Sequence, residues 1–160
     1  MKKIVNTGLI WTILTIIVII LDRYTKLWMM SHLQLGEPLY ILPVLNFTLA
    51  YNTGASFGFL HTASGWQNLF FMTLALVMSI IILIWLAKTP ANERWTGIAL
   101  SFILGGALGN GLDRVIYSHV IDFIHFHIGE WNFAIFNLAD SAISVGAFIL
   151  IVHWLFVKKV

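Results

Sequence analysis

The chain lacks cysteine and has few charged side chains. The absence of cysteine among its 160 residues excludes disulfide bonds, thiolate nucleophiles and cysteine metal sites, although it is compatible with any cellular compartment. Charged residues make up 10% of the chain and apolar residues 59%, whereas ordinary globular domains have about 25% and about 45–50%. This composition excludes an ordinary soluble domain and favours a membrane protein.

Four long stretches of the sequence contain no charged residue. They cover residues 4–21, 62–87, 95–112 and 141–157, and each is close to the length of about 20 residues that a helix needs to cross a bilayer. The first stretch follows Lys2 and Lys3, as in a secretory signal peptide, but it exceeds the usual apolar segment of about 7–15 residues and no small-residue cleavage site follows it. We therefore expect an uncleaved first helix.

The basic residues predict the orientation of these helices. Six of the nine lie at one end of the four spans: Lys2, Lys3, Lys88, Arg94, Lys158 and Lys159. The positive-inside rule assigns that end to the cytoplasm. The remaining three, Arg23, Lys26 and Arg114, each adjoin or face an aspartate. We therefore expect both termini in the cytoplasm and the acidic residues at the outer face of the membrane.

Two outer segments, at about residues 30–62 and 115–137, are too long for simple turns. In the first, residues 44–51 roughly alternate between apolar and polar side chains, as a half-buried strand does, and residues 52–58 (NTGASFG) are typical of a loop. In the second, a short alternating run precedes a turn signal: Ile124, His125, Phe126, His127, Ile128, Gly129 and Glu130. Residues 132–136 resume an extended pattern.

These patterns predict an all-α polytopic membrane protein with four transmembrane helices and a small extracytoplasmic β element on the outer membrane surface. We expect the spans at about residues 4–27, 64–87, 95–114 and 139–157. The chain shows no internal repeat and no low-complexity tract, so residues 1–160 are expected to form a single integral membrane domain.

The four aspartates cluster where the uncharged runs meet the outer end of the spans. They are Asp22, Asp113, Asp122 and Asp140. A charge costs roughly 2.5–3.5 kcal/mol at the centre of an inserted helix and less towards its ends. Four acids at one rim of the membrane therefore indicate a functional site.

Two of these acids have polar partners at helical spacing. Asp22 and Lys26 stand at i and i+4 with the acid first, which is the better orientation for a helical pair. Asn110, Asp113 and Arg114 share one helical face, which predicts an arginine–carboxylate pair with an amide beside it. Four glycines between residues 105 and 111 allow another backbone to approach. The alternative for both groups is a purely structural ion pair at the end of a helix.

Asp122 and Asp140 have no lysine or arginine within four positions. At the edge of a membrane, desolvation disfavours the charged form of such acids, and two that approach each other share one proton. One carboxyl group then acts as general base on a water and the other as acid toward a leaving amine. The alternative for Asp140 is a helix N-cap, and for Asp122 a solvated loop acid.

Other candidate chemistry has weaker support in the sequence. His119, His125 and His127 show no His-Glu-x-x-His spacing, and the polar face of a strand explains them without a metal. Ser56, Ser141 and Ser144 have no paired base in a recognisable motif. Five tryptophans are typical of interfacial anchors: Trp28, Trp66, Trp95, Trp131 and Trp154.

Five segments, taken together, resemble the lipoprotein signal peptidase (type II signal peptidase) family of bacterial inner membranes. They are DRYTK (22–26), NTGASFG (52–58), GNGLDR (109–114), VIDF (120–123) and FAIFNLADSAI (133–143). They occur in the order found in that family, and the four-span layout covers essentially the whole chain. The resemblance implies one intramembrane peptidase domain that cuts prolipoproteins on the N-terminal side of a cysteine bearing diacylglycerol.

The resemblance also implies roles for individual residues. It makes Asp122 and Asp140 the catalytic pair, without deciding which is base and which is acid, because the proton belongs to the coupled pair. The implied substrate-binding or orienting residues are Asn52, Asn110, Arg114 and Asn137. Those implied as structural support are Asp22, Lys26 and Asp113. The expected partners are the substrate and membrane lipids, with a monomeric chain and no cofactor, metal or nucleic acid.

Two other classes of protein remain as alternatives. A proton-coupled transporter would use intramembrane acids as a relay, but these acids lie at one edge and the sequence shows no paired half-helices. A non-catalytic scaffold would use the same polar residues only to join helices.

Overall fold

The computed structural model describes residues 6–54 and 66–156. Within these ranges four helices are long and apolar enough to cross a membrane. They are α1 (Thr12–His32), which continues a 3₁₀ turn at Gly8–Trp11, α2 (Trp66–Lys88), α3 (Arg94–Tyr117) and α4 (Leu138–Phe156). The predicted four-helix membrane fold is confirmed. Residues 55–58 of the NTGASFG segment, including Ser56, and the lysines at both termini lie outside the described residues.

Helix α3 is the central helix and packs against the other three. Half of the residues in the most apolar 18-residue stretch of α3 are buried, whereas the share in the corresponding stretches of α1, α2 and α4 is 17–22%. Glycines bring the backbone of α3 close to the backbone of α4. A Cβ at Gly106 of α3 would collide with the carbonyl oxygen of Ala139 in α4. A Cβ at Gly146 of α4 would lie 2.6 Å from the carbonyl oxygen of Ala99 in α3. Small residues permit such close approach in membranes, and here they bring the start of α4 against α3.

The outer segments form one antiparallel sheet in the order β1-β2-β3-β4. Its strands are β1 (Pro38–Leu42), β2 (Leu45–Asn52), β3 (Val120–Ile128) and β4 (Trp131–Asn132). The predicted small β element is confirmed, with β2 close to the expected strand. In the register of β2 and β3, Ala50 is opposite Asp122 and Asn52 is opposite Val120, so the end of β2 lies beside the start of β3.

The sheet differs from the sequence prediction in three details. Strand β1 was not predicted, because its five residues are all exposed and mostly apolar and show no alternation. Strand β3 starts before the alternating run, since residues 120–123 are all buried and a strand buried on both faces need not alternate. Strand β4 has only two residues, and the expected extension to Phe136 is reduced to an isolated bridge with Ile124.

Candidate active site

Asp122 and Asp140 face the same small cavity, although one comes from the start of β3 and the other from the first turn of α4. The cavity has a volume of about 140 Å³. It is lined by Asn52, Gly54, Phe71, Asn110, Arg114, Val120, Asp122 and Asp140. The structure thus brings together five of the sequence-predicted site residues from four different elements.

The Asp122 carboxylate is buried and held by two amide groups. Its side chain is only 3% exposed, which contradicts the alternative of a solvated loop acid. Asn137 Nδ2 donates to one oxygen at 2.7 Å and Asn52 Nδ2 to the other at 3.0 Å. Burial, and then the charge of Asp140, raise the pKa of Asp122 to about 7, while the two amide hydrogen bonds oppose that rise. Asp122 therefore exchanges its proton near neutral pH.

The Asp140 carboxylate is positioned by the start of α4 and by α3. One oxygen accepts from Asn110 Nδ2 at 2.8 Å and the other from the backbone N–H of Asn137 at 3.1 Å. In return, the backbone N–H of Asp140 donates to Asn137 Oδ1 at 2.9 Å. This reciprocal arrangement is a capping box. Asn137 is thus the residue that caps α4, and the alternative in which Asp140 is itself the N-cap is wrong.

Asn137 contacts both aspartates and is completely buried. Besides its contacts to Asp122 and Asp140, its Nδ2 lies 3.0 Å from Asn110 Oδ1 and 3.3 Å from the carbonyl oxygen of Ile121. The side-chain amide of Asn137 donates to the Asp122 carboxylate and its backbone N–H to the Asp140 carboxylate, so this one residue positions both acids. The sequence predicted an orienting residue at this position but did not indicate that it would contact both acids.

Lys26 forms the centre of a buried charge cluster beneath the cavity. Its ammonium nitrogen lies 2.8 Å from Asp22 Oδ2, 2.7 Å from Asp113 Oδ2 and 2.9 Å from Asn110 Oδ1. An ammonium has three hydrogens to donate, so all three are used. The predicted i, i+4 pair between Asp22 and Lys26 is present within α1. The contacts of Lys26 with Asp113 and Asn110 tie α1 to α3.

The carboxylates of this cluster also bind the backbone of neighbouring elements. Asp22 Oδ1 accepts from the backbone N–H of Ala139 at 2.9 Å, and Asp113 Oδ2 accepts from that of Ile121 at 3.2 Å. Asp113 additionally lies 3.4 Å from Arg23. The cluster therefore fixes the starts of α4 and β3, which are the two elements that supply Asp140 and Asp122.

The predicted ion pair between Asp113 and Arg114 is wrong. Asp113 pairs with Lys26 and Arg23 of α1 instead. The Arg114 guanidinium donates to the carbonyl oxygen of Gly54 at 2.8 Å and lies 5.0 Å from the ring centre of Phe71. Arg114 therefore joins α3 to the end of the β2 segment and to α2 at the edge of the cavity.

The remaining candidates lie away from the two carboxylates. The His119 ring packs on Tyr51 at 4.3 Å, and the His125 and His127 rings are 5.9 Å apart. Within residues 6–54 and 66–156, no three His, Cys, Asp or Glu residues form a group that could hold a metal ion. Ser141 donates to the carbonyl oxygen of Asn137 at 3.0 Å, and Ser144 is exposed.

Sequence reasoning did not identify Phe71 and the Gly54 carbonyl as parts of the site. Phe71 is one of several aromatic residues in α2 and has no distinguishing spacing. The Gly54 carbonyl is a backbone group, although the glycine belongs to the NTGASFG segment. Both become recognisable only through Arg114, which contacts each of them.

The geometry of the cavity suits positioned proton transfer. Two carboxyl groups lie in a desolvated space, and each of their four oxygens accepts one hydrogen bond from a neutral amide. Among the described residues, no cation forms a salt bridge with either carboxylate. Such a pair readily holds one proton between two acids.

Comparisons with known proteins agree with this architecture. The sequence profile of the family described as Signal peptidase (SPase) II matches residues 14–156. A lipoprotein signal peptidase of Coxiella burnetii (strain RSA 331 / Henzerling II) is 52% identical over 145 residues, which cover 91% of this chain and 89% of the relative. One from Hydrogenovibrio crunogenus is 46% identical over 160 residues, covering 99% of this chain and 92% of the relative.

The fold is also similar to that of a solved bacterial membrane enzyme. That structure, obtained by the in meso method at 2.3 Å resolution, superposes with a TM-score of 0.82 at 30% sequence identity. The match covers 93% of this chain and 89% of the other. With a family profile matched along nearly its whole length and relatives about half identical to it, this chain belongs to the signal peptidase II family, the lipoprotein signal peptidases.

Proposed function

We propose that this chain removes the signal peptide from prolipoproteins as an intramembrane aspartic endopeptidase. The proposal rests above all on one observation: Asp122 and Asp140 face one cavity and accept hydrogen bonds from neutral amides on all four carboxylate oxygens. The family match favours this activity over the proton-coupled transporter, which would need acids along a path across the membrane.

In the proposed mechanism the pair holds one proton and one water. The ionised carboxyl group removes a proton from the water, and the water oxygen attacks the carbonyl carbon of the scissile peptide bond. The protonated carboxyl group gives its proton to the amide nitrogen as the carbon–nitrogen bond breaks. Each positioned proton transfer contributes about 10²–10⁴-fold to the rate. The products are the signal peptide with a new carboxyl terminus and the lipoprotein with a new amino terminus.

The surrounding residues take two roles in this proposal. Asn52, Asn110 and Asn137 orient the carboxyl groups, since each donates to one of them. Arg114 lines the cavity and donates to the Gly54 carbonyl, so in this proposal it holds the edge of the cavity in place for the substrate. Asp22, Lys26 and Asp113 support the site by fixing the backbone at Ala139 and Ile121.

The substrate proposed for this site is a prolipoprotein whose cysteine carries diacylglycerol. A signal peptide is an apolar helix and the diacylglyceryl chains stay in the bilayer, so the scissile bond must lie at a membrane surface. The cavity lies between the ends of three apolar helices and the sheet, which supports such a location. We propose that this surface is the outer face of the bacterial inner membrane and that the enzyme acts as a monomer.

The decisive experiment is cleavage of two matched precursors in vitro, one modified with diacylglycerol and one unmodified. The parent protein should cleave only the modified precursor. Asp122→Asn and Asp140→Asn should each lower kcat by at least about 10²-fold while the protein still inserts and folds. Glu130→Gln is the matched control, because this acid lies in the exposed turn between β3 and β4 and should cleave like the parent.

Either aspartate variant cleaving at a rate near that of the parent would exclude the catalytic pair. Equal cleavage of both precursors would exclude recognition of the lipid. The orientation has its own test: a reporter fused after Val160 should report the cytoplasm, and an outward signal would reverse the topology.

A further inference from the structure

A second and larger cavity lies at the opposite end of the helices from the two aspartates. Its volume is about 820 Å³, and its walls are the end of α2, the residues around the start of α3 and the last turns of α4. Trp85, Trp95 and Trp154 all line it, so we name it the tryptophan cavity and the first one the aspartate cavity. The proposed proton transfers use no residue of the tryptophan cavity.

The same three helices line both cavities, and each contributes two residues 14 positions apart. The pairs, with the residue of the aspartate cavity first, are Phe71 and Trp85 of α2, Asn110 and Thr96 of α3, and Asp140 and Trp154 of α4. Fourteen residues make nearly four turns of an α-helix, so the members of each pair lie on one face of their helix, about 21 Å apart. The two cavities therefore open on the same side of the bundle.

A groove joins the two cavities along these helix faces. Helices α2 and α4 both pack on α3 but scarcely contact each other, so α3 is the floor of the groove and the other two helices are its walls. The residues midway between the cavities are Met78, Ile103 and Ala147, and none of them is buried. All three are apolar, so the groove suits an apolar occupant.

Net charge does not select the occupant of the tryptophan cavity. Glu93 and Arg94 line it side by side, and their opposite charges offset each other. Most of the remaining lining is apolar or aromatic: Trp85, Trp95, Leu150, Ile151 and Trp154. Selection therefore depends on apolar surface and on the length of the groove.

We propose that the tryptophan cavity binds the first turn of the apolar helix of the signal peptide and makes binding depend on the length of that helix. The inference rests on the proposed function, in which the scissile bond at the other end of the signal peptide lies in the aspartate cavity. The apolar segment of a signal peptide has about 7–15 residues, so a helix near the upper end of that range spans the groove of about 21 Å.

A shorter apolar segment ends before it reaches the indoles. Trp85 and Trp154, on the two walls, contact the peptide only when the segment fills the groove, and they are therefore specificity-determining residues. They act on substrate binding and leave the proton transfers at Asp122 and Asp140 unchanged.

The test is the binding of two lipid-modified precursors that differ only in their apolar segment. One has about 14 apolar residues and the other about ten, one helical turn less. The full chain with Asp122→Asn is the background, so the dissociation constants do not depend on catalysis. The longer precursor should bind about tenfold more tightly. Adding Trp154→Ala should weaken binding of the longer precursor about tenfold and leave that of the shorter one unchanged.

Phe156→Ala is the matched control and should leave both dissociation constants unchanged. Phe156 is an exposed aromatic residue two positions after Trp154 in the same helix, and it lines neither cavity. Equal dissociation constants for the two precursors would overturn the inference. So would a Trp154→Ala change that weakens both precursors alike, which would indicate a general effect on the fold, or neither, which would assign the cavity to bilayer lipid.

Cleavage of the same precursors by the parent protein tests the proposed function separately. A parent that binds the longer precursor more tightly but cleaves neither would overturn the proposed function and leave the binding site standing. A parent that cleaves both with the same KM would overturn the dependence on length alone.

Discussion

Lys26 donates a 2.9 Å hydrogen bond to the side-chain oxygen of Asn110, whose nitrogen in turn donates to Asp140 at 2.8 Å. An ammonium can only donate, so Lys26 forces the amide oxygen of Asn110 toward itself and the amide nitrogen toward Asp140. A buried charge in α1 thereby determines which hydrogen bond a carboxyl group in α4 receives.

Replacing Lys26 by methionine should strongly destabilise the protein. The change leaves Asp22 and Asp113 buried without their ammonium partner, and removing one member of a buried ion pair costs about 3–5 kcal/mol. Thermal unfolding in detergent measures the loss. Lys88→Met, at an exposed position, should change stability by no more than about 0.5 kcal/mol. A Lys26→Met protein that melts with the parent would show that the cluster does not stabilise the fold.

Replacing Asn52 by alanine should shift the alkaline limb of the kcat/KM profile to higher pH. The pKa of Asp122 is about 7, and the hydrogen bond from Asn52 lowers it by stabilising the charged form. Loss of that bond therefore raises the pKa, by about one unit for a hydrogen bond to a charged group. The profile between pH 5 and 9 measures the shift. Asn132→Ala is the control, because the exposed Asn132 side chain binds only the Glu130 carbonyl oxygen in the turn. An alkaline limb that moves to lower pH in Asn52→Ala would contradict the proposed effect of Asn52 on the pKa of Asp122.

Replacing Asp122 by asparagine should weaken the pH dependence of stability. The pKa of Asp122 is about 7 in the folded protein, against about 3.9 in an unfolded chain. A raised pKa contributes stability that is complete below about pH 4 and is lost as the pH rises through 7, by at most about 4 kcal/mol. The parent should therefore lose melting temperature between pH 5 and 8, and Asp122→Asn should lose less. Equal slopes for the two proteins would refute a titrating Asp122.

Replacing Gly106 by alanine should separate α3 from α4 and reduce activity. The added Cβ would collide with the backbone of Ala139, next to Asp140, so both the melting temperature and kcat should fall. Overpacking of this kind costs about 1–3 kcal/mol. Gly111→Ala is the matched control in the same helix, since its Cβ would meet only the Ala75 Cβ at 3.4 Å. Gly106→Ala cleaving as fast as Gly111→Ala would show that the close helix contact does not position Asp140.

The membrane helices and the candidate pair Asp122 and Asp140 could be predicted from the sequence, because removal from water leaves a visible pattern of charged and uncharged residues along the chain. A backbone in hydrocarbon must satisfy its own hydrogen bonds, so long uncharged runs become helices. Asp122 and Asp140 stood out because no cation lay near them in sequence. The structure places both on one cavity, but the three amides that hold them come from β2, α3 and the residue before α4.

The mistaken Asp113–Arg114 pair shows where local spacing fails. Residues at i and i+1 of a helix do not face each other, so the two side chains diverge. Asp113 turns toward α1, where Lys26 and Arg23 lie about 90 positions earlier in the chain. Arg114 turns toward Gly54. Such partners follow from how the helices pack, which no local pattern of residues reveals.

The fully buried Asn137 has a consequence for drug resistance. Its side-chain amide donates to the Asp122 carboxylate and accepts from the backbone N–H of Asp140 at the start of α4, so a substitution here would disturb both the proposed catalytic pair and the fold. An inhibitor anchored between the two carboxyl groups would therefore leave few escape mutations at its binding site, and resistance would have to arise farther away, at Phe71 or around Gly54.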